Sequence, residues 1–78
     1  MRWVVAVSSW NRHYKRIRMI LELDKRDVTE IMRLGGASES LSEIEGWQRQ
    51  ADDSRRYRTM SAAQFNAFTL GLVEWTRD

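Results

Sequence analysis

His13 is the only imidazole in this chain and there is no cysteine, so any chemistry must come from carboxylates, arginines or hydroxyls. General acid–base catalysis needs a histidine or paired carboxylates set in a cleft. His13 lies among Arg12, Tyr14 and Lys15 and reads as a surface residue. Glu43 and Glu45 are two apart and diverge on a helix. Asp52-Asp53 follow a helix and read as a solvated turn, and Gly35-Gly36 lacks the lysine and flanking pattern of a phosphate-binding loop. One histidine and no thiolate also make a poor transition-metal site. The expectation is a non-enzyme without metal or cofactor.

Binding chemistry is better represented. Arg12, Lys15 and Arg16 form one basic stripe, and Arg55, Arg56 and Arg58 form another around Tyr57. Arginine beside an aromatic ring suits single-stranded nucleic acid. It suits protein interfaces equally, where Tyr, Trp and Arg are enriched, and a solvated basic face is the simplest reading of all. Trp3, Val5, Val7 and Trp10 stand on an N-terminal segment, where large apolar side chains either cover the core or meet a partner.

Residues 27–47 have the rhythm of a helix-turn-helix, with Gly35 at the turn and Leu41 and Ile44 inward. The second helix would read DNA, but it opens with Glu39, Ser42, Glu43 and Glu45, and acids there repel phosphates. The unit is expected to be structural.

The elements that must position these residues are helical. Residues 1–7 alternate, with Trp3, Val5 and Val7 on one side, which favours a strand or an extended arm. No second strand-like segment follows. From Asn11 the period becomes helical: Tyr14, Ile17, Ile20 and Leu21 share a face, and the helix is expected to stop near Leu23. Asp24 caps a second helix with the stripe Val28, Ile31 and Met32, ended by Gly35-Gly36. Ser40-Leu41-Ser42-Glu43 is a capping box that opens a third helix with Leu41, Ile44 and Trp47 inward; Gly46 there points to a close packing contact. Asp52 to Met60 reads as a connection. Ser61-Ala62-Ala63-Gln64 caps the last helix, whose inner face carries Phe65, Phe68, Thr69, Leu72 and Trp75 or Thr76. No proline interrupts these segments.

The whole-chain totals agree. Seventy-eight residues make one domain, and without a disulfide its stability must come from helix packing or self-association. The net charge of +2 hides an asymmetry: residues 1–33 carry +4, residues 34–54 carry −4 and residues 55–78 carry +2. The run Trp3–Val7 is too short for a membrane span or a signal-peptide core, so the expected setting is soluble and cytoplasmic, with no membrane partner.

The stretches Asn11–Leu23, Asp27–Gly35, Ser42–Arg49, Asp52-Asp53 and Phe65–Leu72, in that order and spacing, resemble the YehS-like proteins, a bacterial family of unknown function. The resemblance covers residues 11–78. It implies a small helical unit, usually present in two tandem copies, and no activity, cofactor or catalytic residue. This chain has one copy and adds an arm over residues 1–10, and both departures point to self-association. The reading is therefore an all-α, four-helix domain (residues 11–78) behind an extended arm (residues 1–10). Its expected role is a bacterial or phage protein-binding or regulatory module, inhibitor or adaptor in type, that acts as a homodimer. The alternative is a nucleic-acid-binding protein using the two basic stripes. The partner-binding candidates are Trp3, Val5, Val7, Trp10, Arg12, Lys15, Arg16, Arg55, Arg56, Tyr57 and Arg58.

Overall fold

Each helix begins where a short polar side chain can take up a free backbone amide. A computed structural model describes residues 9–49 and 55–77. Among them are four helices and no strand: α1 (Trp10–Ile20), α2 (Lys25–Leu34), α3 (Leu41–Gln48) and α4 (Ala62–Thr76). The segment Trp3–Val7 and the pair Asp52-Asp53 lie outside the described residues. Trp10, expected on the arm, is instead the first residue of α1, because Ser9 caps the helix by accepting from the Arg12 amide at 3.3 Å.

The end of α1 departs from the sequence reading. Glu22 takes φ 54°, Leu23 N–H donates to Arg18 C=O at 2.9 Å, and Glu22 N–H donates to Met19 C=O at 3.2 Å. These paired bonds are a Schellman termination, built here on a residue with a Cβ. The turn carries Leu23 into the core. Ile20 and Leu21, expected on the inner face, are 75% and 44% exposed: α1 ends there and Leu23, after the turn, takes the core position. The buried stripe of α1 is Asn11 and Tyr14, with Ile17 half-buried.

Helix α2 follows the sequence closely. Asp24 and Asp27 form a reciprocal capping box at 2.9 and 3.0 Å, and Val28, Ile31 and Met32 are fully buried. Its end divides two tasks between two glycines. Gly36, at φ 87°, takes the left-handed position, with Ala37 N–H on Met32 C=O at 2.9 Å and Gly36 N–H on Arg33 C=O at 3.0 Å. Gly35 keeps a negative φ and serves contact instead: a Cβ there would run into the Ala67 carbonyl, and one on Gly71 would run into the Ile31 carbonyl. Helices α2 and α4 therefore meet backbone to backbone.

In α3 only half of the expected capping box forms. Ser40 accepts from the Glu43 amide at 3.0 Å, but the Glu43 carboxylate turns to Trp47 Nε1 at 3.1 Å. Ile44 and Trp47 are buried as expected, whereas Leu41 is 52% exposed, standing at the first turn before α3 reaches the core. Helix α4 forms its full box between Ser61 and Gln64 and buries Phe68, with Phe65 and Leu72 half-buried. Trp75, expected in the core, is 37% exposed. Trp10 stacks on Phe65 and Tyr14 meets Phe68, both at 5.0 Å, so α1 and α4 run in the same direction. Helix α1 ends at Ile20 and α4 at Thr76. Tyr14 stands edge-on to both Trp47 and Phe68 at the centre, an arrangement favoured by the ring quadrupoles.

Two stability predictions follow from these backbone positions. In an ordinary helix interior, glycine to alanine gains about 1 kcal/mol. Gly71→Ala should instead destabilise by about 1 to 3 kcal/mol, since the opposing Ile31 carbonyl cannot rotate away; a gain on urea denaturation would contradict the crossing. Glu22→Gly should stabilise by about 0.5 to 1 kcal/mol by relieving the left-handed conformation, read as a higher urea midpoint with unchanged slope.

Candidate functional site

The two basic stripes are some forty residues apart in sequence, and the fold brings parts of both to one side of α3. The segment 55–58 lies along α3 at Gly46. Arg58 N–H donates to Gly46 C=O at 3.0 Å, and a Cβ on Gly46 would collide with the Arg58 side chain and the Arg56 carbonyl. Asn11 fixes the same segment from beneath. Its Nδ2 donates to Arg58 C=O at 2.8 Å and to Trp47 C=O at 3.2 Å, while its Oδ1 accepts from Met60 N–H at 2.8 Å.

Helix α1 joins from the other side. Lys15 Nζ donates to Arg49 C=O at 3.0 Å, which supplies a cation to an orphan carbonyl at the end of α3. Arg18 donates from Nε to Leu23 C=O at 2.9 Å and from its guanidinium to the Tyr14 hydroxyl at 2.9 Å and to Gln48 Oε1 at 3.4 Å. Arg12 and Arg16 stay exposed, so of the first stripe Lys15 is the residue tied into the shared surface. His13 is exposed and tilts against Trp10 and Phe65 in a surface aromatic group. Tyr57 is half-buried.

Two clefts flank the ridge made by Glu45 and Arg49. One, of about 260 Å³, is walled by Ser42 and Gly46 on α3 and by Arg55, Arg56 and Arg58. The other, of about 300 Å³, is walled by Arg18, Lys25 and Gln48. The sequence pointed to Arg55, Arg56 and Arg58 but missed Arg18, Lys25 and Arg49, whose membership depends on tertiary placement alone.

The acids of α3 are already engaged. Glu43 accepts from Trp47 and from Gln64 Nε2 at 3.4 Å and pairs with Arg58 Nε at 3.8 Å. Glu39 accepts from Gln64 Nε2 at 3.2 Å. Glu45 pairs with Lys25 at 3.0 Å, and that hydrogen-bonded ammonium holds its carboxyl below the usual range, with help from Arg49 and Arg18. Of the acids described in this region, Glu43 and Glu45 are thus paired with the chain's own cations, and arginines dominate the walls of the first cleft. Among the described residues no group of three or more metal-ligating side chains is close enough to hold an ion. No described helix is long and apolar enough to cross a membrane.

The family model described as "Protein of unknown function (DUF1456)" matches residues 11–77. No curated protein and no solved structure matches the chain.

The buried Tyr14 phenol gives a pH prediction. Burial pushes its pKa above the ordinary 10.0, and the Arg18 guanidinium only partly opposes this. The folded state holds that proton more tightly than the unfolded state. The stabilisation is therefore complete below pH 10.0 and is lost as pH rises through the folded value. In a Tyr57→Phe variant Tyr14 is the sole phenol. Its phenolate absorbance should rise above the free-tyrosine range and together with loss of the near-ultraviolet circular dichroism; titration at or below that range would contradict the burial.

Proposed function

The chain belongs to the family described as protein of unknown function (DUF1456), and from its surface we propose a small cytoplasmic association module, regulatory in type, that binds a protein chain rather than catalysing a reaction. The observation that carries this reading is an apolar end. Met19 and Ile20 are each 75% exposed at the finish of α1, with Leu21 beside them. Val73 and Trp75, near the end of α4, are exposed as well. Single exposed apolar side chains are ordinary on a monomer, but three in succession at one helix end form the group that we read as an interaction surface.

The occupant we propose is a second copy of the chain, with the patch repeated across a two-fold axis. Charge complementarity between basic α1 and the acidic Glu39-to-Asp53 region is weakened as a source of that contact, since Glu43 and Glu45 are already paired within one chain. The alternating residues Trp3, Val5 and Val7 supply a further contact, by pairing with the same arm of the other copy. A second reading, nucleic-acid binding, is favoured by the convergence of Lys15 and Arg18 with Arg49 and the 55–58 segment. Capture of partners that vanish on nuclease treatment of an extract would support it.

Sedimentation equilibrium tests the leading reading. The intact chain should be a dimer, and Met19→Glu/Ile20→Glu should be a monomer with unchanged far-ultraviolet circular dichroism. A truncated chain starting at Ser9 reports the arm's share. A monomeric intact chain at high micromolar concentration would sink the dimer.

A further inference from the structure

The cleft between α3 and the 55–58 segment has a lining that self-association does not use. We propose that it is a binding site for a phosphate-bearing anion, held by Arg49, Arg55 and Arg56, with the Ser42 hydroxyl as an added donor. At about 260 Å³ it suits a small, highly charged group rather than a drug-sized apolar ligand. Guanidinium forks match phosphate oxygens two at a time, and several of them around one opening repel each other until an anion lies between them.

The lining's own charges leave the arginines available. Among the described residues Glu45 is the one carboxylate in the wall, and Lys25 holds it at 3.0 Å. Arg58 is committed: its Nε faces Glu43 at 3.8 Å, and its guanidinium donates to the Arg55 and Tyr57 carbonyls at 3.4 and 3.2 Å. Among the described residues, no carboxylate lies within ion-pair distance of Arg49, Arg55 or Arg56. The walls are also set before any ligand arrives, because Asn11 and the Gly46 contact fix the 55–58 backbone onto α3. That preorganisation reduces the ordering cost of binding. Asp52 and Asp53 stand between Arg49 and Arg55 in the sequence and are the natural internal competitors for the anion.

The phosphate has two possible sources: a free diphosphate-type compound, or the backbone of single-stranded nucleic acid. The first needs neither reading of the previous section; the second rests on the nucleic-acid one. Calorimetric titration of the full chain with inorganic pyrophosphate at low ionic strength, and anisotropy with a short labelled single-stranded RNA, separate them. Arg55→Ala/Arg56→Ala should weaken binding by about tenfold or more while its circular dichroism stays unchanged. The exposed pair Arg12→Ala/Arg16→Ala, outside the cleft, should not weaken it, and Asp52→Asn/Asp53→Asn should bind as well as the parent or better. Displacement of RNA by pyrophosphate, or RNA binding with pyrophosphate silent, assigns the cleft to backbone phosphates. Pyrophosphate binding without RNA binding assigns it to free compounds and removes the nucleic-acid reading. Silence of both ligands toward the parent and the Asp52/Asp53 variant, or equal losses from the two arginine pairs, would overturn the site.

Discussion

Asn11 places a carboxamide inside the core, 3% exposed, at the one point where three separated parts of the chain come together. Both of its donor directions and its acceptor are used: Nδ2 toward the carbonyls of Trp47 and Arg58, Oδ1 toward the amide of Met60. The network fixes the amide's orientation, because two carbonyls can face only the nitrogen and an N–H only the oxygen. The Trp47 carbonyl and the Met60 amide so held would otherwise be buried without this partner, at a cost of about 1 to 3 kcal/mol each. One side chain thus joins α1 to the end of α3 and to the irregular chain leading into α4. The 55–58 segment has no helical ladder of its own, so its path over α3 depends on this amide and on Gly46.

The second constraint is distance. The α2–α4 crossing works because Gly35 and Gly71 bring main-chain atoms together where any side chain would hold the helices apart. That closeness lets a domain of 78 residues assemble one centre, in which Tyr14 meets Trp47 and Phe68 edge-on. Arg18 links this centre to the surface, touching the Tyr14 hydroxyl, the Leu23 carbonyl and Gln48 at once. A buried phenol and a half-buried guanidinium therefore share one network, and the basic face is attached to the core rather than laid over it.

Much of this was legible in the sequence where the cause is local. Asp24 and Ser61 announce their helices, and the Val28–Ile31–Met32 stripe buries as its spacing requires. What escaped was decided by remote atoms. Ile20 and Leu21 fit the inner face by period, yet α1 closes with both exposed, and the turn at the left-handed Glu22 brings Leu23 into the core instead. Trp75 continues a correct stripe into the last turn of α4, where it is 37% exposed. Glu43 has the right spacing for a capping box and is drawn away by Trp47 and Gln64. Asn11 looks like one more polar residue at a helix start. Of the candidate surface, the arginines of the 55–58 segment were visible as a cluster, but their meeting with Arg49 across Gly46 needs the fold.

The shared direction of α1 and α4 has a consequence for chain routing. The first ring of α1 stacks on Phe65 in the opening turns of α4, and α4 then travels about 16 Å at 1.5 Å per residue before it finishes. The described chain therefore enters α1 beside the opening of α4 and leaves α4 on the order of 16 Å further along. Domains whose ends lie side by side can be spliced into a host loop with little disturbance. A graft of residues 10–76 would have to bridge that distance, roughly five extended residues of linker.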